Sequence, residues 1–311
     1  MRKILKLFIF TAVFLVVMAS FAVAAEKIQI GVASNNFNDK WQTYMLDAIR
    51  EQAKKYPNYE FIFADGNEDA GKQIGQVEDF ISSGVKGIVL VAVNTDTATP
   101  MTKACKSAKI PMVTVNRLLS NQEDATAYVG SNSVEAGKMA AETVFKKTGG
   151  KGKVAVLMGP AGNEAAIKRT EGYHEVAKRY PEIKFVAEEI GNWNRDEGMR
   201  ITENWLQSGL DFDIILSNND EMAIGAILAL EGQRIRDKFV VAGVDATLDA
   251  LEFMKAGRLD VTVYQSANGQ GSAAADAIVQ AVEGKLKKNM IWIDFEPVTP
   301  DRVDEYIAKW K

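Results

Sequence analysis

The sequence predicts an α/β protein built from two doubly wound parallel-sheet domains, on three observations. From Ile28 onward, short β-branched runs alternate with stretches of about ten to fifteen residues at helical spacing, a pattern that gives parallel strands with helices on both faces. The alternation then starts again at Ala136, after a first series that closes at Val115. The length, 311 residues, suits two units of ordinary size.

Arg2 and Lys3 precede a run from Ile4 to Val23 that is apolar apart from Lys6, Thr11 and Ser20 and ends in Ala22-Val23-Ala24. A basic start, an apolar core and a small-x-small ending describe a secretory signal peptide, so residues 1–24 are expected to be removed. A membrane anchor is the competing reading, because the apolar length is borderline for spanning. The alanine-rich end and the lack of a basic stop segment favour cleavage and export.

The chain is acidic, with 37 Lys and Arg against 41 Asp and Glu, and it lacks the clustered basic excess of a nucleic-acid surface. Cys105 is its only cysteine, which excludes an internal disulfide even in an oxidising compartment. A single histidine, His174, removes most catalytic triads and zinc sites. No cofactor and no metal are expected.

In order, 28–33 is a strand, followed by a polar loop and a helix with Trp41, Tyr44, Met45, Ala48, Ile49 and Ala53 on one face. Strands at 59–64, 87–93 and 112–115 alternate with helices at 71–83 and 98–108. The second series runs helix 136–147, a glycine-rich turn, strand 153–158, helix 165–179, strand 184–189, helix 195–207, strand 213–217, helix 220–231 and strand 239–244. A strand 261–264, a helix 271–283 and an extended run 292–295 follow, expected to pass back between the units.

The stretch from Ile214 to Ala226 carries the functional argument. A buried strand ends at Ser217, a helix with a wide apolar face begins near Met222, and Asn218 and Asn219 lie between. In an open α/β sheet, ligands sit beyond the carboxyl ends of the strands. Asp220 is expected to cap the helix, since its carboxylate suits the free N–H groups of the first turn. That leaves Asn219, whose amide offers donors and an acceptor together, for a polyhydroxylated ligand.

Other strand ends carry similar groups: Asn35 and Asp39 with Trp41; Asn116 with Arg117; Asn163 with Arg169 in the helix beyond; Trp193 after Asn192; Asp245; and Gln265. Amides and carboxylates bond adjacent hydroxyls, Arg gives charge-assisted donors, and an indole covers the apolar face of a ring. Turn formation and capping account for some Asn and Asp residues, but not for two indoles placed beside polar loops. Asp65 to Ala70 begins like a calcium loop yet has Ala70 and Gln76 where Gly and Glu are required. No dinucleotide fingerprint, P-loop or nucleophile elbow is present. Asp39 and Asp245 as a glycosidase pair make a secreted glycosidase the enzymatic alternative.

Asn38-Asp39-Lys40-Trp41, Val115-Asn116-Arg117, the run Ser217 to Ala226, Ala242 to Ala246 and Thr262 to Gln265 resemble the periplasmic sugar-binding proteins of the ribose and galactose type, the substrate-binding subunits of ABC importers. The resemblance covers the whole mature chain, and Val115-Asn116-Arg117, Gly191-Asn192-Trp193 and Val298-Thr299-Pro300 are most similar to the inositol and rhizopine binders. It implies the type I periplasmic binding protein fold, with three crossovers forming a hinge between lobes 26–131 plus 266–293 and 132–265 plus 294–311. It also implies that Asp39 bonds ring hydroxyls and that Trp41 and Trp193 stack on opposite faces of the ligand. Arg117, Arg169, Asn219, Asp245 and Gln265 would complete the cage. The ribose binders commonly have Asp where this chain has Asn116, and the galactose binders have His at Asn163; the resemblance implies a neutral cyclic polyol, myo-inositol first, with ribose, galactose or a similar monosaccharide as the alternative. The implied setting is a monomer in the periplasm serving a membrane permease, with a chemoreceptor as a further partner. A repressor of the same fold would need a helix-turn-helix where residues 1–25 form the leader.

Overall fold

The computed structural model describes residues 26–310. The expected leader, 1–24, lies outside the described residues.

The first sheet is parallel throughout. It contains β1 (Ile28–Ser34), β2 (Tyr59–Asp65), β3 (Gly87–Leu90), β4 (Met112–Val115), β5 (Ala127–Gly130) and β11 (Met290–Trp292), in the order β11-β5-β4-β3-β1-β2. Helices α1 (Lys40–Ala53) and α9 (Ala267–Val282) cover one face, where Ile30, Val32, Met45, Ile49, Val89, Val113 and Ile278 form a buried cluster. Helices α2 (Ala70–Ser82) and α3 (Thr99–Ala108) cover the other, over Val77, Ile88, Leu90 and Met101. Cys105 is buried in that second cluster, and burial pushes its thiol pKa up to about 12, which makes it an inert packing residue.

The second sheet joins β6 (Lys151–Met158), β7 (Glu182–Ile190), β8 (Ile214–Ser217) and β9 (Val240–Ala242) in the parallel order β7-β6-β8-β9. Parallel bridges from Ala242 to Val261 and from Asp245 to Tyr264 attach β10 (Thr262–Tyr264), and β12 (Glu296–Val298) pairs antiparallel beyond it. Around this sheet lie α4 (Ser133–Lys147), α5 (Glu164–Ala177), α6 (Arg195–Gln207), α7 (Asp220–Gly232), α8 (Leu248–Lys255) and the short α10 (Val303–Ala308). Two helix pairs meet backbone to backbone. A β carbon at Gly137 on α4 would stand 2.0 Å from the Arg169 carbonyl of α5, and one at Gly225 on α7 would stand 2.0 Å from the Arg195 carbonyl of α6. Only glycine permits that approach, and it sets how far α5 carries Arg169 toward the strand ends.

The chain passes between the sheets three times: from β5 to α4, from β10 to α9 and from β11 to β12. Several elements depart from the sequence expectation. Of the extended run 292–295, Trp292 ends β11 and residues 293–295 cross to β12 in another sheet, as expected of a return between the units, but they form no strand of their own. β5, α8 and α10 were not expected: each is short, and pairing or packing with distant segments stabilises it more than local pattern does. α9 begins four residues early, at Ala267, where the Ser266 hydroxyl accepts from the Gly269 N–H and overrides the helix-weakening glycines. Among the described residues, no helix is long and apolar enough to cross a membrane.

Candidate functional site

A cavity of about 660 Å³ opens between the two sheets, beyond the carboxyl ends of their strands. Every sequence-predicted site residue except Asn35 lines it: Asp39, Trp41, Asn116, Arg117, Asn163, Arg169, Trp193, Asn219, Asp245 and Gln265.

The first wall is built at the starts of α1 and the β4 loop. Asp39 caps α1 by accepting from the Gln42 N–H at 3.0 Å. Trp41, two residues on, is only 5 % exposed; its ring joins the core below, and its indole N–H reaches the Gln265 carbonyl at 3.1 Å. Asn116 has a left-handed backbone, φ 69°. That conformation turns its amide into a chain in which Gln42 Nε2 donates to Asn116 Oδ1 and Asn116 Nδ2 donates to Gln270 Oε1. Arg117 is buried and donates to the Ala92 and Val93 carbonyls at 2.7 and 3.1 Å. Burial pushes its pKa down, while the carboxylates of Glu68 and Asp39 push it back.

Asn35 is the correction. It is fully buried and does not reach the cavity; its amide donates to Glu68 Oε1 at 2.9 Å, so it orients a residue that does. The strand-end rule applied to β2 would have found Glu68, in a loop tested only for calcium.

The second wall holds the tighter array. Asn163 caps α5, its oxygen accepting from the N–H groups of Ala165 and Ala166. Arg169, buried on α5, donates to the Asn218 carbonyl at 2.5 Å and to Gln265 Oε1 at 2.7 Å, with Nη1 3.7 Å from Asp245 Oδ1. Asp245 sits at φ 125°, outside the regions open to ordinary side chains. Among the described residues, its carboxylate accepts no hydrogen bond. Burial raises its pKa well above the usual carboxylate range, and the nearby Arg169 charge opposes that rise.

Asn219, and not Asp220 as expected, caps the helix, and it also lines the cavity. Asn219 caps α7, with Oδ1 accepting from the Met222 N–H at 3.0 Å, while its Nδ2 donates to the Trp193 carbonyl at 3.1 Å. Asp220 is fully buried behind it, accepting from the Thr262 hydroxyl at 2.7 Å and the Thr247 N–H at 2.9 Å. Both residues suit a cap, and the sheet packing decides which one turns inward. Trp193 lies across Gly159, where a β carbon would come within 2.2 Å of the ring, and the Arg169 guanidinium is 5.8 Å from the ring centroid. Its φ of 64° follows that of Asn192 at 53°, so two consecutive left-handed residues aim the indole into the cavity.

At the rim, Lys40 from the first wall stands 3.6 Å from Asp249 of the second, and Arg195 bridges Asp249 and Glu221 at 2.9 Å each. Thr95 donates across the opening to the Gly162 carbonyl at 3.2 Å. Glu221, Arg195 and Gln42 were missed; Gln42 follows Trp41 in the sequence, but its bond to Asn116, 74 residues on, exists only in the folded chain. The whole set donates and accepts hydrogen bonds from fixed positions, and no activated nucleophile stands among the lining groups. That is the chemistry of binding.

Comparison with known proteins agrees. Residues 30–286 match the family described as periplasmic binding protein domain. A protein of Rhizobium meliloti named for rhizopine binding is 39% identical over 292 residues, covering 92% of this chain and 94% of that protein. A ribose import binding protein of Bacillus subtilis is 29% identical, covering 86% of this chain and 85% of its own length. Among solved structures, an ABC transporter solute-binding protein of Bacillus halodurans with bound myo-inositol superposes with a TM-score of 0.88 at 42% identity, over 92% of this chain and 100% of that one. Two parallel-sheet lobes enclosing a polar, non-catalytic cleft, together with these matches over nearly the full length, establish that the chain belongs to the periplasmic binding protein domain family, whose members bind substrates in the periplasm and are not enzymes.

Proposed function

We propose that the chain is the substrate-binding protein of a carbohydrate or polyol ABC importer and that its ligand is a neutral cyclic polyol, myo-inositol before ribose or galactose. The observation that carries the reading is the buried Asp245 carboxylate, which accepts no bond from the described protein and stands 3.7 Å from Arg169. A hydroxyl pair supplies the donors it lacks, and Arg169, Arg117 and the amide of Asn163 serve further hydroxyls. The likeness to the myo-inositol-bound solute-binding protein and to the relative named for rhizopine binding supports a cyclitol within that class.

In this reading the lobes are 26–131 with 266–293 and 132–265 with 294–311. The leader is cleaved near Ala24, and the mature protein acts as a monomer. It closes on its ligand and presents the closed form to a membrane permease, a switch between two populated states. The test is a thermal-shift and calorimetric panel of inositols, ribose, galactose and xylitol on the purified mature chain. Myo-inositol should raise the melting temperature by mass action. A shift with ribose and none with any inositol refutes the cyclitol assignment.

A further inference from the structure

The turn that carries Asp245 is held from an unexpected direction. Asp245 and Ala246 are consecutive non-glycine residues at φ 125° and 51°, and such a pair persists only where its surroundings hold it. Its backbone groups are all engaged. The Asp245 N–H donates to the Val263 carbonyl at 2.8 Å, the Asp245 carbonyl accepts from the Gln265 N–H at 3.2 Å, and the Ala246 N–H donates to the Thr262 hydroxyl at 3.2 Å. The Ala246 carbonyl is taken by the indole N–H of Trp310, at 2.9 Å and 64 residues away in sequence. Ala246 is fully buried, so no solvent contact replaces that donor.

Trp310 also touches both lobes. Its ring centroid is 4.4 Å from that of Tyr44 on α1, in the first lobe, and 6.4 Å from that of Tyr264 on β10, in the second. Tyr44 lies one turn beyond Trp41, on the helix that forms the first wall of the cavity. The preceding helix, α10, is fastened to the second lobe by buried Val303 and Tyr306, and the Tyr306 hydroxyl donates to Glu296 at 2.8 Å.

We propose that Trp310 is a positioning residue for the ligand site: its indole N–H fixes the Ala246 carbonyl and thereby the Asp245 carboxylate, and its ring, lying on Tyr44, ties that orientation to the approach of the first lobe. The proposal rests on the cyclitol-binding reading for its affinity readout and on the fold alone for its second readout.

Trp310→Phe keeps a ring against Tyr44 and removes only the donor. Calorimetry with myo-inositol should show about a tenfold loss of affinity in the wild-type background, the scale of one buried hydrogen bond. In the Asp245→Ala background, where no carboxylate remains to be aimed, the same change should cost less than about twofold. An equal loss in both backgrounds makes Trp310 a general structural residue and overturns the proposal. Hydrogen exchange on the unliganded protein reads the contact without any ligand. In Trp310→Phe the amides of residues 245–247 should exchange about tenfold faster while those of β8 keep wild-type rates. Unchanged rates at 245–247 overturn the proposal whether or not myo-inositol binds. Faster exchange there in a protein that binds none of the panel supports the positioning role and refutes the cyclitol reading instead.

Discussion

Asp245 gives the most discriminating test of the site. The residue is 5 % exposed, and its carboxylate lacks a hydrogen bond from the described protein and has Arg169 Nη1 at 3.7 Å as its nearest opposite charge. In the liganded cleft each hydroxyl donating to it forms a charge-assisted bond worth roughly 1.5–3 kcal/mol. Asp245→Ala removes both acceptor oxygens and leaves Arg169 without its compensating carboxylate, so a loss of about 2–4 kcal/mol, roughly 30- to 1,000-fold in Kd, is expected. Asp245→Asn keeps one acceptor and the side-chain shape, and its loss should fall near the lower end of that range. The same bonds favour the ionised carboxylate, whereas burial favours the protonated one. Ligand uptake should therefore release protons, and affinity should weaken as pH falls. The assay is isothermal calorimetry in buffers of different ionisation enthalpy, on wild type and both variants, with circular dichroism to verify folding. Unchanged affinity in a folded Asp245→Ala, or no buffer dependence of the wild-type heat, would refute the reasoning.

Three further predictions concern the two indoles and the buried carboxylate behind the cap. Trp193→Ala should weaken myo-inositol binding by about 1 kcal/mol or more through lost ring contact, and should reduce the compaction seen by small-angle scattering on ligand addition. Wild-type affinity and radius in that variant would exclude stacking of Trp193 on the ligand. Trp41→Ala should instead cost roughly 3–5 kcal/mol of folding stability, read by denaturant melts, because Trp41 is already packed in the core. Asp220 has its pKa pushed up to about 7 by burial, opposed by its bonds from Thr262 and Thr247. A folded-state pKa above the unfolded one means that the folded state holds the extra proton, so its contribution to stability is present below about pH 4 and is lost as pH rises toward 7. Asp220→Asn should flatten the stability profile across that window; a slope equal to that of wild type would place the titration elsewhere.

The architecture and most of the cavity wall can be read from the residues in order. Parallel α/β alternation is a local signal, since each strand and helix carries its own apolar period, and the strand-end rule then places loop residues at one site without any knowledge of packing. Asp39, Trp41, Asn116, Arg117, Arg169 and Asp245 were legible for that reason. Which of two adjacent groups lines the cavity depends instead on long-range packing. Asn219 and Asp220 are equally suited to cap α7, and the Thr247 N–H and the Thr262 hydroxyl, 27 and 42 residues on, draw Asp220 inward. Asn35 is turned away by Glu68, which lies 33 residues later on a neighbouring strand's loop. The fastening of the Asp245 turn by Trp310 is of the same kind. Side-chain direction at a strand end depends on partners brought together only by the closed sheet, and no period or propensity in one segment encodes them.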